Sequence, residues 1–161
     1  MDTSFSMFWE TRVPHDEEII SLTDFSGVIT YVNETFAQIS GYEAEELIGK
    51  AHNIIRHPDM PKSVFGDLWE TVKRGEAWQG YVKNLRKDGG YYWVFARVSV
   101  MTKAGKPVGY KSVREPITEE KKWEMQKHYD LLRAEEENSA RVVLYVDNGM
   151  LDAIKALEMK N

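Results

Sequence analysis

The chain has 161 residues, 42% of them hydrophobic and 29% charged, with a formal net charge of −5 from 21 basic and 26 acidic residues. That length holds one compact domain plus an appendage, and the composition is neither disordered nor fibrous. The acidic balance argues against a nucleic-acid footprint, and the complete lack of cysteine removes disulfides, thiolate metal sites, iron–sulfur clusters and cysteine nucleophiles.

Residues 1–17 have no clear period, yet Phe5, Met7, Phe8 and Trp9 are too much apolar surface for a free tail, so this segment is expected to cap the domain or a neighbouring chain. Two strand-like runs follow, 18–23 and 28–32, joined by Asp24-Phe25-Ser26-Gly27, where Gly27 can take positive φ. Asn33 can cap a short helix over 34–39 that Gly41 ends, and a second short helix over 44–48 closes at Gly49. Residues 50–60 are irregular.

Residues 61–74 predict a longer helix, with Val64, Phe65, Leu68, Trp69 and Val72 on one stripe and Gly75 as its stop. Gly66 inside that helix suggests a close approach. The next half is β: strands over 79–87 and 91–102 flank the hairpin signal Asp88-Gly89-Gly90, and a turn at 103–106 leads to a strand over 108–115. In the middle strand Tyr92, Val94, Ala96, Val98 and Val100 make one apolar face, and Trp93, Phe95, Arg97 and Ser99 make a mixed one.

This order predicts an α+β domain over residues 18–117, a five-stranded antiparallel sheet with helices on one face and a pocket beneath them. Residues 118–161 form a helical extension. Its first helix carries Met125, Tyr129 and Leu132 and closes at Glu135-Glu136-Glu137. Residues 141–146 read as strand or buried helix, and Met150, Ile154 and Leu157 suggest a last amphipathic helix. The longest apolar run, 142–146, is too short to cross a bilayer, and no signal peptide is present, so a soluble, cytoplasmic chain is expected.

Ile29-Thr30-Tyr31-Val32-Asn33, Phe36, Ser40-Gly41-Tyr42 and Glu46-Leu47-Ile48-Gly49 together resemble the first half of a PAS domain. The run His52-Asn53-Ile54-Ile55-Arg56-His57-Pro58-Asp59-Met60-Pro61, followed by Trp69, Trp78-Gln79-Gly80, Lys83-Asn84, Arg86-Lys87 and Tyr92-Trp93, is similar to the FAD-binding PAS domain of bacterial aerotaxis receptors. The resemblance implies a non-covalent FAD whose redox state controls chemotaxis signalling, and it implicates Asn33, Arg56, His57, Asp59, Trp78 and Asn84. It also implies an output borrowed from a membrane transducer or signalling domain, in cis or in trans; a homodimer is expected, and the charge and the short apolar runs predict no nucleic acid and no direct membrane insertion.

FAD needs cationic or N–H donors at its pyrophosphate, amide partners at its pyrimidine edge and stacking faces for its rings. Arg56 and His57, ahead of a helix N-terminus with free N–H groups, suit the first need; Asn33 and Asn84 the second; Trp69, Trp78 and Trp93 the third. Four of the candidates have a plainer reading, and Arg56 and His57 are the hardest to explain as structure alone. Asn33 and Asp59 can be helix caps, Trp69 can be core, and Trp93 can face a docked element. His52 and His57 alone make no metal site, though one histidine would serve a haem. No Ser/His/Asp order, phosphate loop or carboxylate pair points to catalysis. The expectation is a redox sensor; a cofactor-free PAS interaction module and a haem sensor are its rivals. A change at the flavin would be felt by Asn84 and passed through the sheet to the N-terminal segment or the tail helix.

Overall fold

A computed structural model describes residues 9–147, with side chains through residue 137. Strands β1 (Ile19–Thr23) and β2 (Ile29–Val32) pair antiparallel around the turn at Asp24, whose carboxylate accepts from the Ser26 and Val28 N–H groups at 2.9 and 3.0 Å. Gly27 closes that turn at φ 86. Helices α1 (Glu34–Ser40) and α2 (Ala44–Leu47) follow, then a 3-10 turn at His52–Ile55 and helix α3 (Lys62–Lys73). The long strands β3 (Trp78–Leu85), β4 (Tyr91–Lys103) and β5 (Lys106–Glu115) complete a five-stranded antiparallel sheet ordered β2-β1-β5-β4-β3. The expected α+β architecture is the observed one.

Helices α1–α3 cover one face of the sheet. Tyr92, Val94, Ala96 and Val98 point beneath them and are buried, as the strand period requires. Gly66 corrects an expectation: a Cβ there would meet nothing within 4 Å, so no close approach explains it.

The opposite face is covered at its β3–β4 end by helix α4, Glu119–Asp147. This single helix runs through Glu135–Glu137, where an end was expected, and it includes residues 141–146, which settles them as helix. The predicted helix around Met150, Ile154 and Leu157 lies outside the described residues, as do Phe5, Met7 and Phe8.

Trp93 stacks on Tyr129 at 6.2 Å and 20°, and the Tyr129 hydroxyl donates to the Tyr81 carbonyl at 2.5 Å. The N-terminal segment lies alongside. Tyr91 N–H donates to the Trp9 carbonyl at 2.9 Å, Thr11 N–H donates to Tyr91 at 2.8 Å, and Lys122 of α4 pairs with Glu10.

Candidate cofactor site

Beneath α3 a cavity of about 300 Å³ runs along the sheet. That volume is at the small end of ligand clefts, which span roughly 300–1,000 Å³. Its floor is Val82, Asn84, Ala96 and Val98; its walls are Trp69 and Trp78; Arg56 and Phe65 stand at its rim. From Asn84 to Trp78 the floor extends along β3 by about 20 Å, at roughly 3.3 Å per residue.

The β1 and β5 side of the cavity is polar. In β1 the buried positions are Ile19, Ser21 and Thr23, while the apolar Ile20 and Leu22 are only half-buried. Ser21 lies opposite Ser112 and Ile19 opposite Arg114 across the ladder. Arg114 Nη2 donates to Ser21 Oγ at 3.1 Å and meets His52 Nε2 at 2.8 Å, and that imidazole nitrogen also lies 3.1 Å from the Ser21 hydroxyl. Burial, with Arg114 beside it, pushes His52 down to about 3, so the ring is neutral and its Nε2 accepts from Arg114.

Arg114 is 4% exposed, and burial lowers its guanidinium to about 10. It has no carboxylate partner among the described residues; Phe36 lies 5.1 Å from it, and its Nη1 is buried without an acceptor. The Thr23 and Ser112 hydroxyls on the same wall are likewise buried without partners. A buried cation and two hydroxyls left without acceptors among the described residues are costly, so this wall can take acceptors from a bound group. Burial raises the neighbouring Tyr92 phenol to about 12, against the pull of Arg114 and Asn84.

Of the residues singled out from sequence, four meet at this cavity: Arg56, Trp69, Trp78 and Asn84. Arg56 is exposed, with its guanidinium 3.8 Å above the Phe65 ring, and its backbone bridges to Asn84. Trp69 rests edge-on to Tyr110 at 5.8 Å, and a Cβ on Gly27 would come within 3.1 Å of its ring, so that glycine serves both the turn and the indole.

The other four do not line the cavity. Asn33 is consumed by backbone: its Oδ1 accepts from Ile20 and Phe36, and its Nδ2 donates to Glu18. Trp93 points from β4 to the other face, as its odd position in the strand dictates. His57 is 2% exposed and pushed down to about 4, first by burial and then by Lys83, so it is a neutral acceptor for the Asp59 N–H at 3.0 Å rather than a cation.

Asp59 does not cap α3. Its carboxylate takes Lys83 Nζ at 2.8 Å and lies 3.7 Å from Arg133 of α4. Burial would raise that carboxyl, but the Lys83 hydrogen bond and charge, helped by His57 and Arg133, hold it below its usual range. The first of the free N–H groups expected at the start of α3 is also taken. Glu136 accepts from Lys62 N–H at 2.7 Å and from the Ser63 hydroxyl at 3.3 Å.

Ser21, His52, Ser112 and Arg114 are the cavity residues that sequence reasoning did not assign to the cofactor. The alternation that placed Tyr92 and Val94 inward also puts Tyr110, Ser112 and Arg114 on one face of β5, a signal available in the sequence. His52 gives its Nε2 to Arg114, and His57 gives its Nδ1 to the Asp59 N–H while its Nε2 is buried without a partner; no group of three His, Cys, Asp or Glu could hold a metal among the described residues.

The family profile of the PAS fold matches residues 29–114. The aerotaxis receptor of Escherichia coli K12 is 46% identical over 124 residues, which is 77% of this chain and 24% of the receptor. The nitrogen fixation regulatory protein of Klebsiella pneumoniae is 27% identical over 140 residues, 85% of this chain and 28% of that protein. The chain thus spans about a quarter of the length of the curated relatives it matches. Among solved structures, the dark state of the Aureochrome1 LOV photoreceptor superposes with a TM-score of 0.58 at 20% identity, covering 75% of this chain and 86% of that one. A Light-Oxygen-Voltage domain studied with a flavin analogue gives 0.57 at 22%, covering 76% and 87%. Those two likenesses concern the fold.

Proposed function

The chain belongs to the PAS fold family, and from that premise we propose that its cavity holds FAD and that the flavin's redox state is passed through α4 to a chemotaxis transducer. The observation that carries the reading is the buried, unpaired Arg114 with the orphaned Thr23 and Ser112 hydroxyls beside it. Such a wall suits a planar ring whose polar edge is rich in carbonyl and imine acceptors and whose faces are apolar. Similarity to the aerotaxis receptor supports the flavin and the transducer alike.

Arg114, His52 and Ser21 would hold the polar edge, Asn84 would offer its amide from the floor, and Trp69 and Trp78 would bound the ring faces. Arg56, exposed at the rim and free of any ion pair among the described residues, is the cation available to the phosphates. A bound flavin supplies reversible electron uptake, and without cysteine no thiol adduct competes with it. Arg114 then provides a fixed positive charge against added negative charge, while neutral His52 keeps the guanidinium oriented.

The output follows from the strand period. Asn84 faces the cavity, and its neighbour Lys83 faces the other way, where its ammonium holds Asp59 at 2.8 Å and Gln126 of α4 at 3.0 Å. A shift of β3 at Asn84 therefore pulls directly on the α4 contact. No helix among the described residues is long and apolar enough to cross a membrane, so a partner in trans or further chain in cis carries the signal onward, in a homodimer. The reading makes the protein a sensor rather than a catalyst.

The absorption spectrum of the purified chain tests it. A two-band visible spectrum that bleaches on reduction, with an extracted cofactor of FAD mass, is expected. Colourless protein that refuses added FAD overturns the reading and leaves a cofactor-free interaction module.

A further inference from the structure

We infer that Asp67 is a positioning residue for the cavity, pinning the Trp78 indole as a flat wall on which a planar ring stacks; this rests on the flavin reading. Trp78 is 6% exposed, and its Nε1–H donates to Asp67 Oδ2 at 2.9 Å. Asp67 is on the exposed side of α3, and its carboxylate enters no ion pair among the described residues. It is therefore free to serve the indole alone.

Gly80 fixes the same ring from a second direction. A Cβ on Gly80 would lie 2.4 Å from indole Cη2 and 2.5 Å from Cζ2, so the ring lies flat over the backbone two residues downstream. The seat sets the plane and the carboxylate sets the rotation. Both are needed, because χ2 of tryptophan is a soft torsion and a cavity of about 300 Å³ lies beside the ring. Released, the indole would gain contacts by turning into that space and filling it.

If satisfying a buried N–H were the whole purpose, any carbonyl or water would serve. What sets this acceptor apart is its origin, since it is carried on a side chain of α3. Trp69, the other aromatic wall, is also on α3. One helix thus references both indoles, Trp69 by covalent attachment and Trp78 through Asp67, and fixes the slot between them.

The test uses the full chain with Asp67→Asn, Asp67→Leu and Gly80→Ala. Asp67→Asn keeps an acceptor and should keep FAD affinity within about twofold. Asp67→Leu should weaken FAD roughly tenfold, the loss of one charge-assisted hydrogen bond, and reduce the visible circular dichroism of bound flavin, with a melting temperature close to that of Asp67→Asn. Gly80→Ala should change the same dichroism by displacing the ring from its seat. Wild-type affinity and dichroism in Asp67→Leu, or an Asp67→Asn variant as impaired as Asp67→Leu, overturns the inference. If the unmodified chain takes up no FAD, the flavin reading fails by itself. The clamp is then read in the near-ultraviolet dichroism of the flavin-free protein, where Asp67→Leu should remove the same band as Trp78→Phe, and an unchanged band overturns it.

Discussion

The two faces of the sheet treat buried polar groups differently. Under α3, Arg114, Thr23 and Ser112 keep donors that no described residue accepts. Under α4, Lys83 is matched by Asp59 and Gln126, and Tyr129 by the Tyr81 carbonyl. The α4 face satisfies its Lys83 and Tyr129 and leaves over Arg133 Nε and His57 Nε2, while the cavity face leaves a guanidinium nitrogen and two hydroxyls aimed into open space. On the proposed reading the difference separates stability from function: the α4 face holds the protein together, and the cavity face costs it stability unless a ligand is bound.

Breaking the satisfied face should have the largest effect. Trp93→Ala removes the ring stacked on Tyr129 and should destabilise the chain by about 3–5 kcal/mol in urea melts, flavin or no flavin. A loss below about 1 kcal/mol would mean that α4 is not held there. Arg114→Met sharpens the comparison from the other side. Losing hydrogen bonds to a charged group should weaken FAD by roughly 10–100-fold, while the flavin-free protein should melt no lower than the parent, because an unpaired buried cation has been removed. A clear drop in the melting temperature of the flavin-free variant would contradict the idea that this cation is kept for a ligand.

The pH dependence bears on both faces. His57 is held down to about 4 against an ordinary value of 6.5, so below 6.5 the unfolded chain takes up a proton that the folded chain refuses. Stability should therefore decline as pH falls from 6.5 toward 4, and His52, held near 3, acts in the same direction. Urea midpoints measured across that range should fall with acid, and His57→Gln should flatten the slope.

The strands, turns and apolar face of the fold were legible because alternation and glycine placement are local. The cavity was half legible. Aromatic and basic residues at Arg56, Trp69 and Trp78 announce themselves, but Ser21 and Ser112 are ordinary residues made unusual only by burial. In β1 the apolar Ile20 and Leu22 invite an inward reading that the sheet reverses. Contacts from far along the chain were not legible at all. Glu136 reaches the start of α3 from 74 residues away, and Arg133 reaches Asp59, so the acidic residue before the helix needed no capping role.

The hairpin Arg86–Gly90 carries one further consequence. Arg86 N–H donates to the Gly90 carbonyl at 2.8 Å, and the Asp88 carboxylate accepts from Gly90 N–H at 2.8 Å, which fixes the length of this loop and so the register of β3 against β4. Side chains alternate at every residue, so gaining or losing one residue here would turn Lys83 toward the cavity and Asn84 toward the helix. Gly89, at φ 90, and Asp88 are therefore constrained in kind, and the loop as a whole is constrained in number. Chains descended from this one should conserve its length together with those two residues.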